Sequence, residues 1–90
     1  MLKKKTIGFI GGGNMAEALI KGLLAGGLPA ADLSVAEPSG ERRAFLAKRY
    51  GVFVTEENRD VATGCDIIIL AVKPQVAPPV LDFLRRHRAT

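Results

Sequence analysis

Apolar residues dominate two segments of the chain without alternating with polar ones, Thr6–Ile10 and Asp66–Val72. Strands with this pattern are buried on both faces, as in a parallel sheet that is covered by helices. Two shorter segments, Leu33–Glu37 and Val52–Val54, also have the composition of strands. The pattern therefore predicts four short strands.

After the first strand the apolar residues change to a helical spacing. Asn14 and Glu17 have the spacing of a capping box, with Asn14 in the cap position. Gly26-Gly27 and then Pro29 predict where this helix ends. Its apolar stripe consists of Met15, Ala16, Leu19, Ile20, Leu23 and Leu24.

Three further helices are predicted between and after the remaining strands. Gly40–Tyr50 forms the second, with Ser39 as its cap and Gly51 just past its end. Asn58–Thr63 is at most two turns, and the last helix begins near Pro78-Pro79, since proline is tolerated in a first turn. The side chains of this last helix that we expect to face inward are Val80, Leu81, Phe83 and Leu84.

Strands and helices alternate, and the connections are too short for anything but crossovers between parallel strands. These features predict a doubly wound α/β sheet of the Rossmann type with strand order 3-2-1-4. Asp66–Val72 then lies at an edge, and natural domains normally cover a long apolar edge strand. We therefore expect residues 1–90 to be one domain, the front part of a longer protein, truncated after its fourth strand–helix unit.

Composition and charge narrow the function classes. With 90 residues, 48% apolar and 24% charged, the chain has the composition of one ordinary globular domain. The net charge of +4 is spread over both halves, which weakens a nucleic-acid interpretation, and the longest apolar run, Ile67–Val72, is too short to cross a bilayer. Cys65 is the only cysteine, so we expect no disulfide, no metal site and a reducing cytoplasm.

The turn after the first strand carries the strongest chemical signal. Gly11–Ala16 fits the pattern G-x-G-x-x-A, with a strand before it and a helix after it. Gly11 permits the sharp turn, Gly13 lets a pyrophosphate approach the backbone, and Ala16 lets the helix pack closely on the strand. The N–H groups and partial positive charge of the helix N-terminus favour phosphate there.

Two opposed interpretations concern the ribose end. Glu37 ends the second strand, where an acidic residue would accept a hydrogen bond from the 2′-hydroxyl of NAD. Ser39, Arg42 and Arg43 follow, and they offer a hydroxyl and guanidinium groups for the 2′-phosphate of NADP. A carboxylate would repel that phosphate, so the sequence leaves both open.

Ile7–Ala16 together with Ala71–Pro74 resembles the N-terminal domain of the pyrroline-5-carboxylate reductase family, strand by strand through nearly the whole chain. The resemblance implies that the pyrophosphate lies against Ile10–Met15 and that the adenosine ribose lies near Glu37 and Ser39. It also implies that Asn58 and the backbone of Ala71–Pro74 flank the dinucleotide. The implied cofactor-binding residues, with Arg42 added from the phosphate argument, are Ile10, Gly11, Gly12, Gly13, Asn14, Met15, Glu37, Ser39, Arg42, Asn58, Ala71, Val72, Lys73 and Pro74.

The resemblance further implies an activity, the reduction of 1-pyrroline-5-carboxylate to proline by hydride transfer. The family often uses NADPH, so NADP is expected with NAD possible, although Glu37 replaces the small polar residue that is frequent in the family. No residue is assigned to catalysis, because a lysine such as Lys73 with an ordinary pKa near 10.4 donates a proton poorly at neutral pH. We expect later strands and a helical C-terminal domain to complete a homo-oligomeric enzyme, and the chain alone to be inactive.

Three alternatives remain from the sequence. One is the dinucleotide-binding domain of a related reductase of the F420-dependent NADP oxidoreductase type. Another is a stand-alone module that senses a dinucleotide without turnover. The third, a basic nucleic-acid binder, would use Arg85, Arg86 and Arg88 and would lose affinity steeply with salt.

Overall fold

The computed structural model describes residues 5–72 and 77–88. The strands in these ranges are β1 (Ile7–Ile10), β2 (Leu33–Ala36), β3 (Phe53–Thr55) and β4 (Ile67–Leu70). The helices are α1 (Asn14–Ala25), α2 (Gly40–Tyr50), α3 (Asn58–Gly64) and α4 (Ala77–Arg88), and a short 3₁₀ turn (Ala30–Asp32) precedes β2.

The four strands form one parallel sheet in the order β3-β2-β1-β4. Ile10 at the end of β1 lies opposite Ala36 of β2 and Leu70 of β4, so the carboxyl ends of the three strands are level. The predicted α/β class and strand order are confirmed. They follow from the succession of elements, because right-handed crossovers allow few other arrangements of this pattern.

Helices cover the two faces of the sheet and enclose two apolar layers. Successive residues of β1 alternate between them, since Phe9 belongs to one layer and Ile10 to the other. The first layer, beneath α1 and α2, contains Phe9, Ala16, Ile20, Leu33, Val35, Leu46 and Val52. The second, beneath α3 and α4, contains Ile10, Ala36, Val61, Cys65 and Val80.

The start of α1 differs from the prediction. Gly13, not Asn14, is the cap residue, and no side chain caps the helix there. Glu17 cannot complete a capping box because its carboxylate is bound by residues of α2. The predicted stripe is also too wide, since Met15 and Leu19 are 56% and 41% exposed.

The bounds of α2 are as predicted because both of its caps are local. The Ser39 hydroxyl oxygen accepts a hydrogen bond from the N–H of Arg42 at 3.2 Å, and Gly51 ends the helix with φ at +74°. In α4, Val80 faces inward as predicted, but Leu81 is 51% exposed, so its predicted burial is wrong.

The fourth strand is shorter than predicted. It runs only from Ile67 to Leu70, and the Asp66 carboxylate just before it accepts a hydrogen bond from the N–H of Thr6 at 3.0 Å. Val52, expected in the third strand, lies just before β3 and is buried.

Two kinds of feature are not found within residues 5–72 and 77–88. No helix there is both long enough and apolar enough to traverse a bilayer. No group of three metal-ligating side chains forms a candidate metal site there.

Candidate dinucleotide-binding site

The glycine turn lies at the carboxyl end of β1, between the ends of its two neighbouring strands. The N–H of Gly11 donates to the carbonyl of Ala36 at the end of β2 (2.8 Å). On the other side, the N–H of Ala71 donates to the carbonyl of Ile10 (2.8 Å). Open parallel sheets bind ligands at this edge, where the chain order reverses around the first strand.

Gly11 is required by two independent features of the turn. Its φ is +104°, a backbone conformation that residues with a side chain rarely adopt. A Cβ on Gly11 would also lie 2.4 Å from the carbonyl oxygen of Ala71 and 3.1 Å from the Val72 side chain. The residues that follow β4 are therefore in close contact with the turn.

Gly12 and Gly13 have opposite surroundings. Gly12 is buried, and a Cβ there would lie 2.9 Å from the Leu46 side chain and 3.2 Å from Glu37. Gly13 is exposed, and a Cβ there would meet no protein atom within 4 Å. Packing within the chain thus accounts for glycine at position 12 but leaves open space beside Gly13.

The Glu37 side chain bridges the turn and the loop after β2. One carboxylate oxygen, Oε1, accepts a hydrogen bond from the N–H of Gly12 (2.8 Å), and Oε2 accepts one from the N–H of Ser39 (2.9 Å). Glu37 is half-buried, and its backbone N–H donates to the carbonyl of Thr55 (2.8 Å). Its charge is therefore fixed at the end of β2, where the sequence predicts the ribose.

The first turn of α2 directs its two arginines to different places. Arg43 donates through Nη1 to the carbonyl oxygens of Glu37 (2.8 Å) and Pro38 (2.9 Å) and so holds the loop. Arg42 donates through Nε to the carbonyl oxygen of Gly12. The Arg42 guanidinium thus contacts the glycine turn itself rather than extending from the loop.

Arg42 belongs to a network that joins α1 to α2. Its Nη2 donates to Oε1 of Glu17 at 2.8 Å, and the Tyr50 hydroxyl donates to Oε2 of the same carboxylate. The Arg42 and Glu17 side chains are only 25% and 20% exposed. The guanidinium carbon of Arg42 lies 4.9 Å from the centre of the Phe45 ring, a cation–π distance.

The pKa values of the network follow from these contacts. The Tyr50 hydroxyl and then the Arg42 guanidinium hold the pKa of Glu17 below its ordinary value. Partial burial, and then the hydrogen bond to Glu17, raise the pKa of Tyr50 above its ordinary value. The network is therefore an anionic carboxylate between a cation and a neutral phenol at neutral pH.

The fold brings most of the remaining predicted site residues to the same edge. Asn14 and Met15 are exposed in the first turn of α1, and Ala71 and Val72 follow β4 beside the turn. Asn58 is the half-buried first residue of α3, which packs against β1 and β2. Lys73 and Pro74 lie outside the described residues.

Sequence reasoning missed the contacts around Gly12. The G-x-G-x-x-A pattern leaves position 12 unrestricted, and only the run of three glycines signalled a requirement there. Glu17 was assigned to a helix cap and Tyr50 to no role. No local signal could have paired them, because they are 33 residues apart in sequence.

Comparison with known proteins identifies similar chains. Residues 6–90 match the family described as NADP oxidoreductase, coenzyme F420-dependent. The pyrroline-5-carboxylate reductases of Vibrio alginolyticus and Haemophilus influenzae are 40% and 46% identical over 84 and 83 residues. These matches cover 93% and 92% of this chain but 31% and 30% of the relatives, so the chain spans less than a third of their length.

Two solved structures share the fold. A pyrroline-5-carboxylate reductase from Coxiella burnetii superposes with a TM-score of 0.88 at 36% identity, over 93% of this chain and 31% of that one. A variant imine reductase from Myxococcus stipitatus, in complex with NAD⁺, gives 0.71 at 34% identity, over 93% and 26%. The resemblance indicated by the glycine turn and the Ala71–Pro74 segment is confirmed.

Proposed function

The chain belongs to the family of F420-dependent NADP oxidoreductases, and on that premise we propose that it is the dinucleotide-binding domain of a pyrroline-5-carboxylate reductase. The observation that carries the proposal is the glycine turn at the switch point of the sheet, with open space beside Gly13. The names and identities of the similar reductases support this choice of reaction.

The residues of the turn fit a nicotinamide dinucleotide. A side chain at position 13 would enter the open space where a pyrophosphate approaches the backbone. The N-terminus of α1 supplies N–H groups and partial positive charge to that place. Ala16 is fully buried, so the helix packs closely enough on the sheet to aim its first turn at the ligand.

The bound cofactor supplies the hydride that reduces the C=N bond of 1-pyrroline-5-carboxylate, giving proline. This chain's residues would bind and orient the cofactor: the turn would hold the pyrophosphate, and Glu37 would accept a hydrogen bond from the adenosine ribose. The backbone at Ala71 and Val72 borders the other side of the same edge. We assign no described residue to proton donation or to substrate contact, and these functions belong to the rest of a longer enzyme.

Between the two cofactors, the contacts of Glu37 and Arg42 favour NADH. We expect the 2′-phosphate of NADPH to lie beside the Glu37 carboxylate, which Gly12 and Ser39 hold in place, and the two negative charges would repel. Arg42, the cation expected to offset that repulsion, is bound to Gly12 and Glu17. We therefore propose that NADH is the preferred cofactor and that NADPH binds more weakly. We also propose that the complete enzyme is a homo-oligomer in the cytoplasm.

A chimeric enzyme tests the reaction. This chain would replace the N-terminal 30% of the Haemophilus influenzae relative, the part that it matches at 46% identity. The chimera should oxidise NADH only when 1-pyrroline-5-carboxylate is present, while the chain alone should bind NADH without turnover. The control chimera carries Gly13→Ala, which fills the space reserved for the pyrophosphate. A folded chimera that binds NADH but gives no substrate-dependent oxidation would contradict the proposal.

The second candidate is the dinucleotide-binding domain of another reductase, favoured by the family's description and by the similar imine reductase structure. Deleting the gene that encodes this chain separates the two. If the chain belongs to a pyrroline-5-carboxylate reductase, cells that lose the gene should need added proline to grow. Re-expression of the gene should then restore growth without proline. Unimpaired growth without proline would favour the other reductase.

A further inference from the structure

Arg42 is the only residue of the predicted site whose side chain contacts the carbonyl of the glycine turn, among the hydrogen bonds of the described residues. The resulting contact lies at the Gly12–Gly13 peptide. A peptide unit is planar and trans, so its carbonyl and its N–H point in opposite directions. When Arg42 holds the carbonyl of Gly12, the N–H of Gly13 is therefore directed to the side away from α2.

We propose that Arg42 is a positioning residue, which orients the Gly12–Gly13 peptide so that the Gly13 N–H meets the pyrophosphate of the dinucleotide. This inference rests on the proposed function, and it differs from the role of a 2′-phosphate clamp that the sequence suggests for the same arginine. Arg42 acts through the backbone and contacts no part of the cofactor.

The turn needs such a contact because its own backbone is permissive. Glycines on both sides of a peptide allow that peptide to rotate between several low-energy orientations. Here Glu37 holds the N–H of Gly12 and Arg42 holds its carbonyl, so both polar groups of one residue are fixed from the β2–α2 side. A donor that is already aligned binds its ligand without the entropy loss of becoming ordered.

Besides its hydrogen bond to Gly12, Arg42 is held in place by two side chains. Glu17 accepts a hydrogen bond from Nη2 of Arg42, and the Phe45 ring lies beneath the guanidinium. The Tyr50 hydroxyl in turn donates a hydrogen bond to the other oxygen of the Glu17 carboxylate. Side chains locked in this way keep the geometry of a site constant between the free and bound states. The network around Glu17 thus serves the turn as well as the packing of α1 on α2.

The test measures binding of four ligands by calorimetry at one fixed salt concentration: NADH, NADPH, ADP and adenosine. Arg42→Met keeps the unbranched apolar stem of the side chain but removes its donors. It should weaken the binding of NADH, NADPH and ADP by the same factor, about 10-fold for one charge-assisted hydrogen bond, and leave the binding of adenosine, which has no phosphate, nearly unchanged. The matched control is Lys48→Met, which removes an exposed positive charge from the same helix.

Two further measurements exclude a merely structural role. Arg42→Lys retains the charge and can reach only one of the two acceptors, so it should restore part of the ADP affinity; it also serves if Arg42→Met fails to fold. In ¹⁵N-labelled protein, ADP should shift the Gly13 amide resonance strongly in the native chain and much less in Arg42→Met.

The opposing outcomes are distinct. Loss of NADPH affinity alone would make Arg42 a 2′-phosphate clamp and would overturn the inference while leaving the proposed function intact. Unchanged ADP affinity in Arg42→Met would also overturn it. A folded native chain that binds none of the dinucleotides would overturn the proposed function and this inference together.

Discussion

The two sides of the glycine turn are held by different kinds of contact. Toward β4 the contacts are made by backbone atoms, since the Ala71 N–H binds Ile10 and the Ala71 carbonyl presses on Gly11. Toward β2 there is one backbone hydrogen bond, from Gly11 to Ala36, but polar side chains are added to it, since Glu37 and Arg42 bind the two polar groups of Gly12.

This difference separates the contacts that stabilise the turn from those that set its charge and its ligand preference. Backbone contacts depend on the register of β1 and β4, so residue identity matters there only where a Cβ would collide. Side-chain contacts depend on which residues β2 and α2 supply, so substitutions there change charge and ligand preference. We expect substitutions on the β4 side to act on stability and those on the β2 side to act on binding.

The largest effect should follow Gly11→Ala, on the β4 side. The substitution combines a positive φ with a Cβ 2.4 Å from a backbone oxygen that cannot move without shifting β4. We expect the free energy of unfolding to fall by about 3 kcal/mol or more, as measured by urea denaturation.

Gly13→Ala is the matched control for that measurement. Gly13 has φ of −80° and open space around it, so alanine should change stability by less than about 1 kcal/mol. The same alanine should nevertheless weaken NADH binding, because its methyl group occupies the pyrophosphate's approach. Equal destabilisation by the two substitutions would remove the distinction between the sides of the turn.

A smaller effect, and on binding, is expected from Glu37→Gln. Removing the charge relieves its repulsion of a 2′-phosphate, so the ratio of NADPH to NADH affinity should rise on the order of 10-fold. Calorimetric titration with both cofactors measures the ratio directly. Glu41→Gln, an exposed substitution with the same charge change in α2, is the control and should leave the ratio unaltered. A ratio that stays constant in Glu37→Gln would place the ribose elsewhere.

The sequence predicted those parts of the molecule that are governed by local or repetitive patterns. The bounds of α2 were correct because Ser39 and Gly51 cap the helix from adjacent positions. The strand order was correct because crossovers between parallel strands have one handedness. The position of the turn followed from the glycines and the strand before them.

Contacts between distant residues were not predictable in the same way. Arg42 is 25 residues from Glu17 and 30 from Gly12, and polar pairs of this kind leave no periodic trace in a sequence. Periodicity also overestimated burial at Met15 and Leu81, because it gives the direction of a helix face but not the width that its neighbours cover. The side-chain contacts that set the ligand preference of the candidate site are therefore the ones that only the structure could reveal.

The smallest effect concerns pH and the network behind the β2 side. The pKa of Glu17 in the folded chain is lower than its ordinary value of 4.5. The charged carboxylate therefore stabilises the fold fully above pH 4.5, and this contribution is lost as the pH falls through the lowered pKa. The pKa of Tyr50 is raised, so its contribution is complete below pH 10.0 and is lost as pH rises through the raised value.

Thermal unfolding of the native chain, Glu17→Gln and Tyr50→Phe across the pH range measures both contributions. Glu17→Gln should reduce the acid-side loss of stability, and Tyr50→Phe should abolish its part of the alkaline-side loss. Glu41→Gln, again exposed and of equal charge change, should leave the acid-side profile close to that of the native chain. Profiles that coincide for Glu17→Gln and Glu41→Gln would mean that the network does not fix α1 against α2. Arg42 would then lack the support of Glu17 and would be held by Gly12 and the Phe45 ring alone.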